Sequence, residues 1–148
     1  MANLVENKKA RLNFEILEPF EAGLELLGFE VKSLRAGQGK LDGAHVVVRN
    51  GEAYVIGMHI PPYQVANTPD WYEPDRTRRL LLTRKESRVL AASEAQKGLT
   101  IVPLSIYTKG RHLKLGIAVA RGRKKFDKRE VLRRRAVERE IQRTLKNR

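Results

Sequence analysis

The stretch LTIVPLSIYTKGRHLKLGIAVA, residues 99–120, holds the two best strand candidates in the chain. Leu99–Tyr107 and His112–Ala120 are rich in Ile, Val, Leu and Tyr, residue types that pack well on a pleated surface, and Lys109-Gly110 supplies the turn between them. Upstream, Lys85–Gln96 reads as a helix bearing Val89, Leu90 and Ala92 to Ala95, ended by Lys97-Gly98. Thr77–Thr83 is a strand or a helix entry, which periodicity cannot separate over so short a run. Ile60–Asp75 contains Pro61, Pro62, Pro69 and Pro74 with Tyr63, Trp71 and Tyr72 among them, and reads as a loop or edge fragments. Before it, Ala44–Arg49 and Ala53–Met58 flank Asn50-Gly51, a pair favoured in tight hairpins because both residues accept positive φ.

Toward the N-terminus, Arg11–Leu17 alternates Leu12, Phe14 and Ile16 with Arg11, Asn13 and Glu15, the period of a half-buried strand. Pro19 then suits a first helical turn, and Phe20, Gly23, Leu24 and Leu27 recur at helical spacing until Gly28 stops the helix. Phe29–Leu34 alternates again and predicts a strand, and Gly37, Gly39 and Gly43 mark a loop. Five or six short strands, with one helix after the first and another before the last pair, predict a mainly β fold with accessory helices (α+β). The architecture that fits is a small β-barrel of the oligonucleotide-binding type. A ferredoxin-like α+β sandwich is the alternative.

The chain has 148 residues, 30 Lys+Arg against 17 Asp+Glu, a formal charge of +13 and no Cys. Disulfide scaffolds and thiolate metal sites are thereby excluded. The Met1-Ala2-Asn3 start lacks a signal-peptide pattern, and no apolar run approaches the roughly 20 residues that cross a bilayer. A cytoplasmic protein with no membrane contact is expected. Residues 121–148 hold 13 Lys+Arg and four Asp+Glu, a net of +9, and residues 1–120 hold 17 and 13, a net of +4. Charge so concentrated points to phosphates, whose neutralisation releases condensed counterions. We therefore divide the chain into a β-barrel domain, 1–120, and a basic tail, 121–148, the barrel being the RNA-binding domain on the family resemblance given below. In a helix, Val137, Ile141, Thr144 and Leu145 of the tail form a stripe within roughly 100°, too narrow to hold it on a core against about 1–2 kcal/mol of backbone entropy per residue. The expectation is a tail disordered alone and helical once phosphates neutralise it.

Catalytic signatures are lacking. Gly23 and Gly28 have phosphate-loop spacing, but Phe29 stands where Lys is needed, and Gly37-Gln38-Gly39 is not followed by a helix pattern. His45, His59 and His112 share no metal-ligand spacing, so neither metal nor cofactor is expected. Tyr63, Trp71 and Tyr72 either stack bases or close one end of the barrel. Phe126, the one aromatic residue of the tail, is a base-stacking ring or a plain exposed one.

Four stretches together resemble the SsrA-binding protein family, also called small protein B, the partner of transfer-messenger RNA. They are Asn7-Lys8-Lys9-Ala10; Phe20-Glu21-Ala22-Gly23 through Gly28-Phe29-Glu30-Val31-Lys32-Ser33-Leu34-Arg35-Ala36-Gly37; Arg76-Thr77-Arg78-Arg79-Leu80-Leu81-Leu82; and Ala120-Arg121-Gly122-Arg123-Lys124-Lys125-Phe126-Asp127-Lys128-Arg129. The resemblance implies a barrel that grips the tRNA-like domain of that RNA and delivers it to stalled ribosomes for trans-translation, a form of ribosome rescue. The tail would enter the empty messenger channel and fold beside 16S ribosomal RNA of the small subunit. Elongation factor Tu and alanyl-tRNA synthetase would be met indirectly, through the RNA. Carried over by position, the RNA-gripping residues are Glu21, Leu81 and Lys114, with Lys8 and Lys9 as phosphate contacts. The decoding-site motif falls on Gly122 as hinge, Arg121, Arg123 and Lys124 as phosphate contacts, Phe126 as the stacking ring, and Asp127, Lys128 and Arg129 beyond it. Phe126 stands where the family often has His or Tyr, so it keeps stacking and loses a polar edge. Two other classes remain distinct: an RNA-modifying or RNA-cleaving enzyme, and a structural ribosomal protein with a basic extension.

Overall fold

The computed structural model describes residues 3–146, without the side chains of residues 125–127. The Met1-Ala2 start and the last two residues of the tail, 147–148, lie outside the described residues, as do the side chains of Phe126 and Asp127. In chain order the elements are β1 (Asn3–Glu6), α1 (Lys8–Asn13), β2 (Phe14–Leu24), α2 (Gly28–Arg35), β3 (His45–Arg49), β4 (Glu52–Ile56), β5 (Arg78–Leu81), α3 (Arg84–Ala95), β6 (Leu99–Lys109), β7 (His112–Gly122) and α4 (Lys125–Lys146).

All strand pairings are antiparallel, and they close. β6 pairs with β3, β3 with β4, β4 with β5, β5 with β2, β2 with β7 and β7 with β6, so six strands form a ring, and β1 adds to β6. Closure removes the free sheet edges that would otherwise invite aggregation. The β3–β4 turn is the two-residue Asn50-Gly51 loop, with φ 54° and 78°, the left-handed pair a tight hairpin needs.

Two bulges let single strands serve two cores. In β6 the register shifts between Pro103 and Ser105, so Ile101 and Ile106, five apart, both point inward, while Val102 and Leu104 point outward. In β2 the shift between Ile16 and Glu18 puts Phe14 and Ile16 on the outer cluster and Phe20, Ala22 and Leu24 against the interior. The interior is filled by residues such as Val46, Val55, Leu80, Ile101, Leu115 and Ile117. The outer cluster joins Val102, Leu104, Ala118 and Ala120 to Ala10 of α1.

The N-terminal third departs from the sequence expectation. Where a helix from Pro19 to Leu27 is predicted, the chain continues β2 as far as Leu24 and then runs as a short connection, and the predicted strand Phe29–Leu34 is α2. Pro19 is tolerated because β2 there has only β7 beside it; β5 joins it at Gly23 and Leu24. α2 buries Glu30, Ser33 and Leu34, a three-and-four spacing that a charged residue at position 30 hides in the sequence. The strand expected from Arg11 begins at Phe14, preceded by α1, which Asn7 caps by accepting from the Ala10 N–H at 3.1 Å. Thr77–Thr83 resolves into β5 and the cap of α3, and Ile60–Asp75 is irregular apart from a turn at Val65–Asn67. The fold is thus mainly β with accessory helices, a small closed barrel with a basic extension. In α4, Leu132, Val137, Ile141 and Leu145 are each about half exposed.

Candidate nucleic-acid interface

Gly23 of β2 pairs with Leu81 of β5 on one side and with Lys114 of β7 on the other, so the three residues form one row across three strands. Directly paired residues share a face. Because Phe20, Ala22, Leu24, Leu80 and Leu115 face the interior, this row and Glu21, two residues along β2, face outward. Leu81 is 50% exposed. A Cβ on Gly23 would lie 3.1 Å from the Leu81 Cβ, so the glycine gives Leu81 room to lie across the strand. An open groove of about 220 Å³ runs beside it, lined by Leu81, Arg111, His112 and Lys114 among others.

Glu21 answers its own oddity as a carboxylate on a basic face. Tyr107 donates its hydroxyl to one carboxylate oxygen and Lys109 Nζ lies 3.0 Å from the other. These two bonds, reinforced by the charges of Lys109 and Lys114, outweigh burial and hold the carboxyl below its ordinary value. Burial and the bond to Glu21 push the Tyr107 phenol up to about 12, so it stays a neutral donor. Tyr107 also pairs across the ladder with Lys114. Tyr107, Lys109, Arg111 and Gly23 therefore belong to the face that holds Glu21, Leu81 and Lys114. Sequence reasoning missed them because their membership follows from the β6–β7 and β2–β7 registers, which no local pattern encodes.

Lys8 and Lys9 lie elsewhere. They begin α1, with Lys9 Nζ 3.9 Å from Asp42, and α1 ends where β2 starts, about 23 Å of strand from Glu21. α1 touches α4 instead. At the root of the tail, Arg121 pairs with Glu15 and Leu99, and Gly122, the last residue of β7, pairs with Phe14. A side chain at Gly122 would meet nothing within 4 Å. The Arg123 N–H donates to the Asn13 carbonyl at 2.8 Å, and its Nε is buried without a partner among the described residues. Arg121, Arg123, Lys124 and Arg134 line an open cleft of about 550 Å³ with Glu15 and Glu130. Lys128 and Arg129 stand on the first turn of α4, the Lys128 N–H donating to the Lys124 carbonyl at 3.2 Å. The structure thus gathers Glu21, Leu81 and Lys114 on one barrel face and places Lys8, Lys9 and the tail motif at another.

Of the aromatic residues in the 60–75 loop, Tyr72 is buried, edge-on to Phe29 with ring centroids 4.6 Å apart, and Tyr63 and Trp71 are exposed. Tyr72 belongs to a buried polar cluster. Its hydroxyl donates to Glu30 at 2.9 Å and accepts from Arg78 at 3.0 Å, and Arg76 also reaches Glu30. His59 Nδ1 sits 2.8 Å from Asp75, and among the described residues no three His, Asp or Glu side chains gather as a metal site. Among the described residues no helix is long and apolar enough to cross a membrane.

Comparison with known proteins places the chain in a family. The SsrA-binding protein of Gloeothece citriformis is 48% identical over 143 residues, 97% of this chain and 92% of that protein. The SsrA-binding protein of Oleidesulfovibrio alaskensis is 49% identical over 144 residues, again 97% of this chain and 92% of its relative. A chain from a solved structure described as "tmRNA-SmpB: a journey to the center of the bacterial ribosome" superposes with a TM-score of 0.69 and 42% identity, covering 87% of this chain and 94% of that one. The profile of the SmpB protein family matches residues 4–147, and the chain belongs to that family of SsrA-binding proteins.

Proposed function

We propose that this protein is an RNA-binding adaptor that grips the tRNA-like domain of transfer-messenger RNA and delivers it to stalled ribosomes for trans-translation, without catalysis of its own. The observation that carries the reading is the single outward row of Leu81, Gly23 and Lys114 beside Glu21: an apolar ridge, a clear backbone and a cation on a rigid barrel. Such a face offers a surface for a base or ribose and a counterion for the backbone, the mix by which folded RNA is recognised. Glu21 acts by holding Tyr107 and Lys109 in place, not by meeting phosphate.

The tail is the second working part. Arg121, Arg123, Lys124, Lys128 and Arg129 engage phosphates of 16S ribosomal RNA in the empty messenger channel, with Phe126 stacking on a base and Asp127 beside it. The helical form seen here is the one that phosphate neutralisation favours, since the apolar stripe has little cover of its own. Lys8 and Lys9, next to α4, serve this end of the molecule. Contact with elongation factor Tu and alanyl-tRNA synthetase is indirect, through the RNA, and the work is done in the cytoplasm.

Competition between transfer-messenger RNA and ordinary tRNA for the pure protein tests the reading. Transfer-messenger RNA should win, and Lys114→Ala should weaken its binding at every salt concentration. Equal binding of the two RNAs, or an unchanged affinity in the variant, would overturn it. A product formed from the RNA on incubation would favour an enzyme instead.

A further inference from the structure

Leu81 borders two grooves. The smaller, on the β7 side, carries Lys114 and Arg111. The larger, about 610 Å³, lies between the β4–β5 ladder and α3, lined by Ala53, Leu80, Leu81, Leu82 and Ala91 with Glu52, Arg79, Arg84 and Arg88 at its polar wall.

The charges of the larger groove sort into neutralised and surplus ones. Arg79 is held by Glu52 at 2.7 Å and by Glu25 at 3.5 Å. Glu86, the nearby acid of α3, is tied to Thr83, accepting from its hydroxyl at 2.9 Å and its N–H at 3.1 Å. Arg84 and Arg88 are exposed and have no ion-pair partner among the described residues. Four residues apart, they stand one above the other on one face of α3. They occupy its first two turns, where the helix dipole adds to their positive potential. Elsewhere on the barrel Arg49, Arg76 and Arg78 are committed to Glu94 and Glu30. Two unspent cations beside an apolar floor, adjoining the face that holds Lys114, form a track for a polyanion.

We propose that the groove between β5 and α3 holds a second segment of RNA backbone, with phosphates on Arg84 and Arg88, so that the bound RNA straddles Leu81. The proposal rests on the reading of the Leu81–Lys114 face as an RNA contact. It extends the footprint to the opposite side of that ridge, where no sequence motif pointed.

The test measures binding of the full-length protein to the isolated tRNA-like domain of transfer-messenger RNA between about 50 and 200 mM salt. Three variants are compared: Arg84→Gln with Arg88→Gln, Lys85→Gln with Lys97→Gln, and Lys114→Gln. The two doubles remove the same charge, but Lys85 and Lys97 do not line the groove. The arginine double should weaken binding and make the log–log salt slope shallower by about 1.4–1.8, the loss of two phosphate contacts. The lysine double should leave the slope near the parent's. Equal slopes for the two doubles, or no change in the arginine double, would overturn the proposal. If Lys114→Gln alone leaves binding intact, the reading of the first face fails, while the arginine double still judges the groove by its own slope.

Discussion

Among the described residues Arg78 is the largest fully buried side chain, and every N–H of its guanidinium is used. Nε donates to Glu30 at 2.7 Å, one terminal nitrogen to the carbonyls of Met58 at 2.6 Å and Arg76 at 3.0 Å, and the other to the Tyr72 hydroxyl at 3.0 Å and the Pro74 carbonyl at 2.8 Å. An arginine inside a basic motif of an RNA-binding protein invites a phosphate role; this one instead ties α2 and the 60–75 loop to β5. Its partner Glu30 also accepts from the Leu27 N–H, capping α2. Burial alone raises the Glu30 carboxyl, but the bonds from Arg76, the Leu27 backbone and Arg78 outweigh it and hold the group below its ordinary value. Glu30→Gln leaves Arg78 buried without its counter-charge and should cost about 3–5 kcal/mol, read from the urea midpoint. The pH sign follows. Because Glu30 is more acidic folded than unfolded, its stabilisation is present above the unfolded value near 4.5 and fades as pH falls through the lower folded one. The parent should therefore lose stability on acidification more steeply than the glutamine variant, and parallel curves would remove Glu30 from the account. Gly39 likewise has a packing reason: a Cβ there would lie 2.5 Å from Leu34 Cδ2.

Among the elements, α3 is held by its cap. Thr83 accepts from the Glu86 N–H at 3.2 Å while Glu86 accepts from the Thr83 N–H at 3.1 Å, so two unpaired donors of the first turn are satisfied reciprocally. Thr83→Ala should cost about 1 kcal/mol and lower the melting temperature by about 2–4 °C. A melting temperature equal to the parent's would mean that packing of Leu90 and the Glu94 bonds to Arg49 and the Val48 N–H suffice. This helix, the Asn50-Gly51 hairpin and the β6–β7 pair were legible in the sequence because each is specified locally: a run of helix formers, a dipeptide that accepts positive φ, two β-rich segments around a turn. β2 and α2 were not. Phe20, Gly23, Leu24 and Leu27 fit a helical period as well as Phe20, Ala22 and Leu24 fit a strand, and β7, about a hundred residues away, chooses between them. Glu30 reads as a solvent position until Arg78, 48 residues on, is placed against it. The candidate site divides the same way. Glu21, Leu81 and Lys114 came from family resemblance, but Tyr107 and Lys109, which bind the Glu21 carboxylate, follow only from the folded register.

For the whole molecule, the decisive property is that its +13 charge is unevenly placed, with +9 in residues 121–148 and +4 in the remainder. Several barrel cations are further spent on internal pairs, those of Arg49, Arg76, Arg78, Arg79 and Lys109. On the proposed function, the barrel then chooses an RNA by shape and a few contacts, and the tail enters a phosphate-lined channel. The six-strand ring closes without any residue of α4, so a protein ending at Arg121 keeps every strand of the ring, while giving up the Phe14–Gly122 pair, the Arg123–Asn13 bond and the contacts of α4 with α1. Such a protein should fold, bind the tRNA-like domain with nearly parental affinity, and fail to support tagging on stalled ribosomes. Salt separates the two parts further, because the slope of log affinity against log salt grows with the number of phosphates neutralised. Full-length protein on empty-channel ribosomes should give a steeper slope than the truncated barrel on the tRNA-like domain alone. Tagging by the truncated protein, or a steeper slope for the barrel than for the tail, would mean that gripping the RNA and filling the channel are not carried by separate parts of the chain.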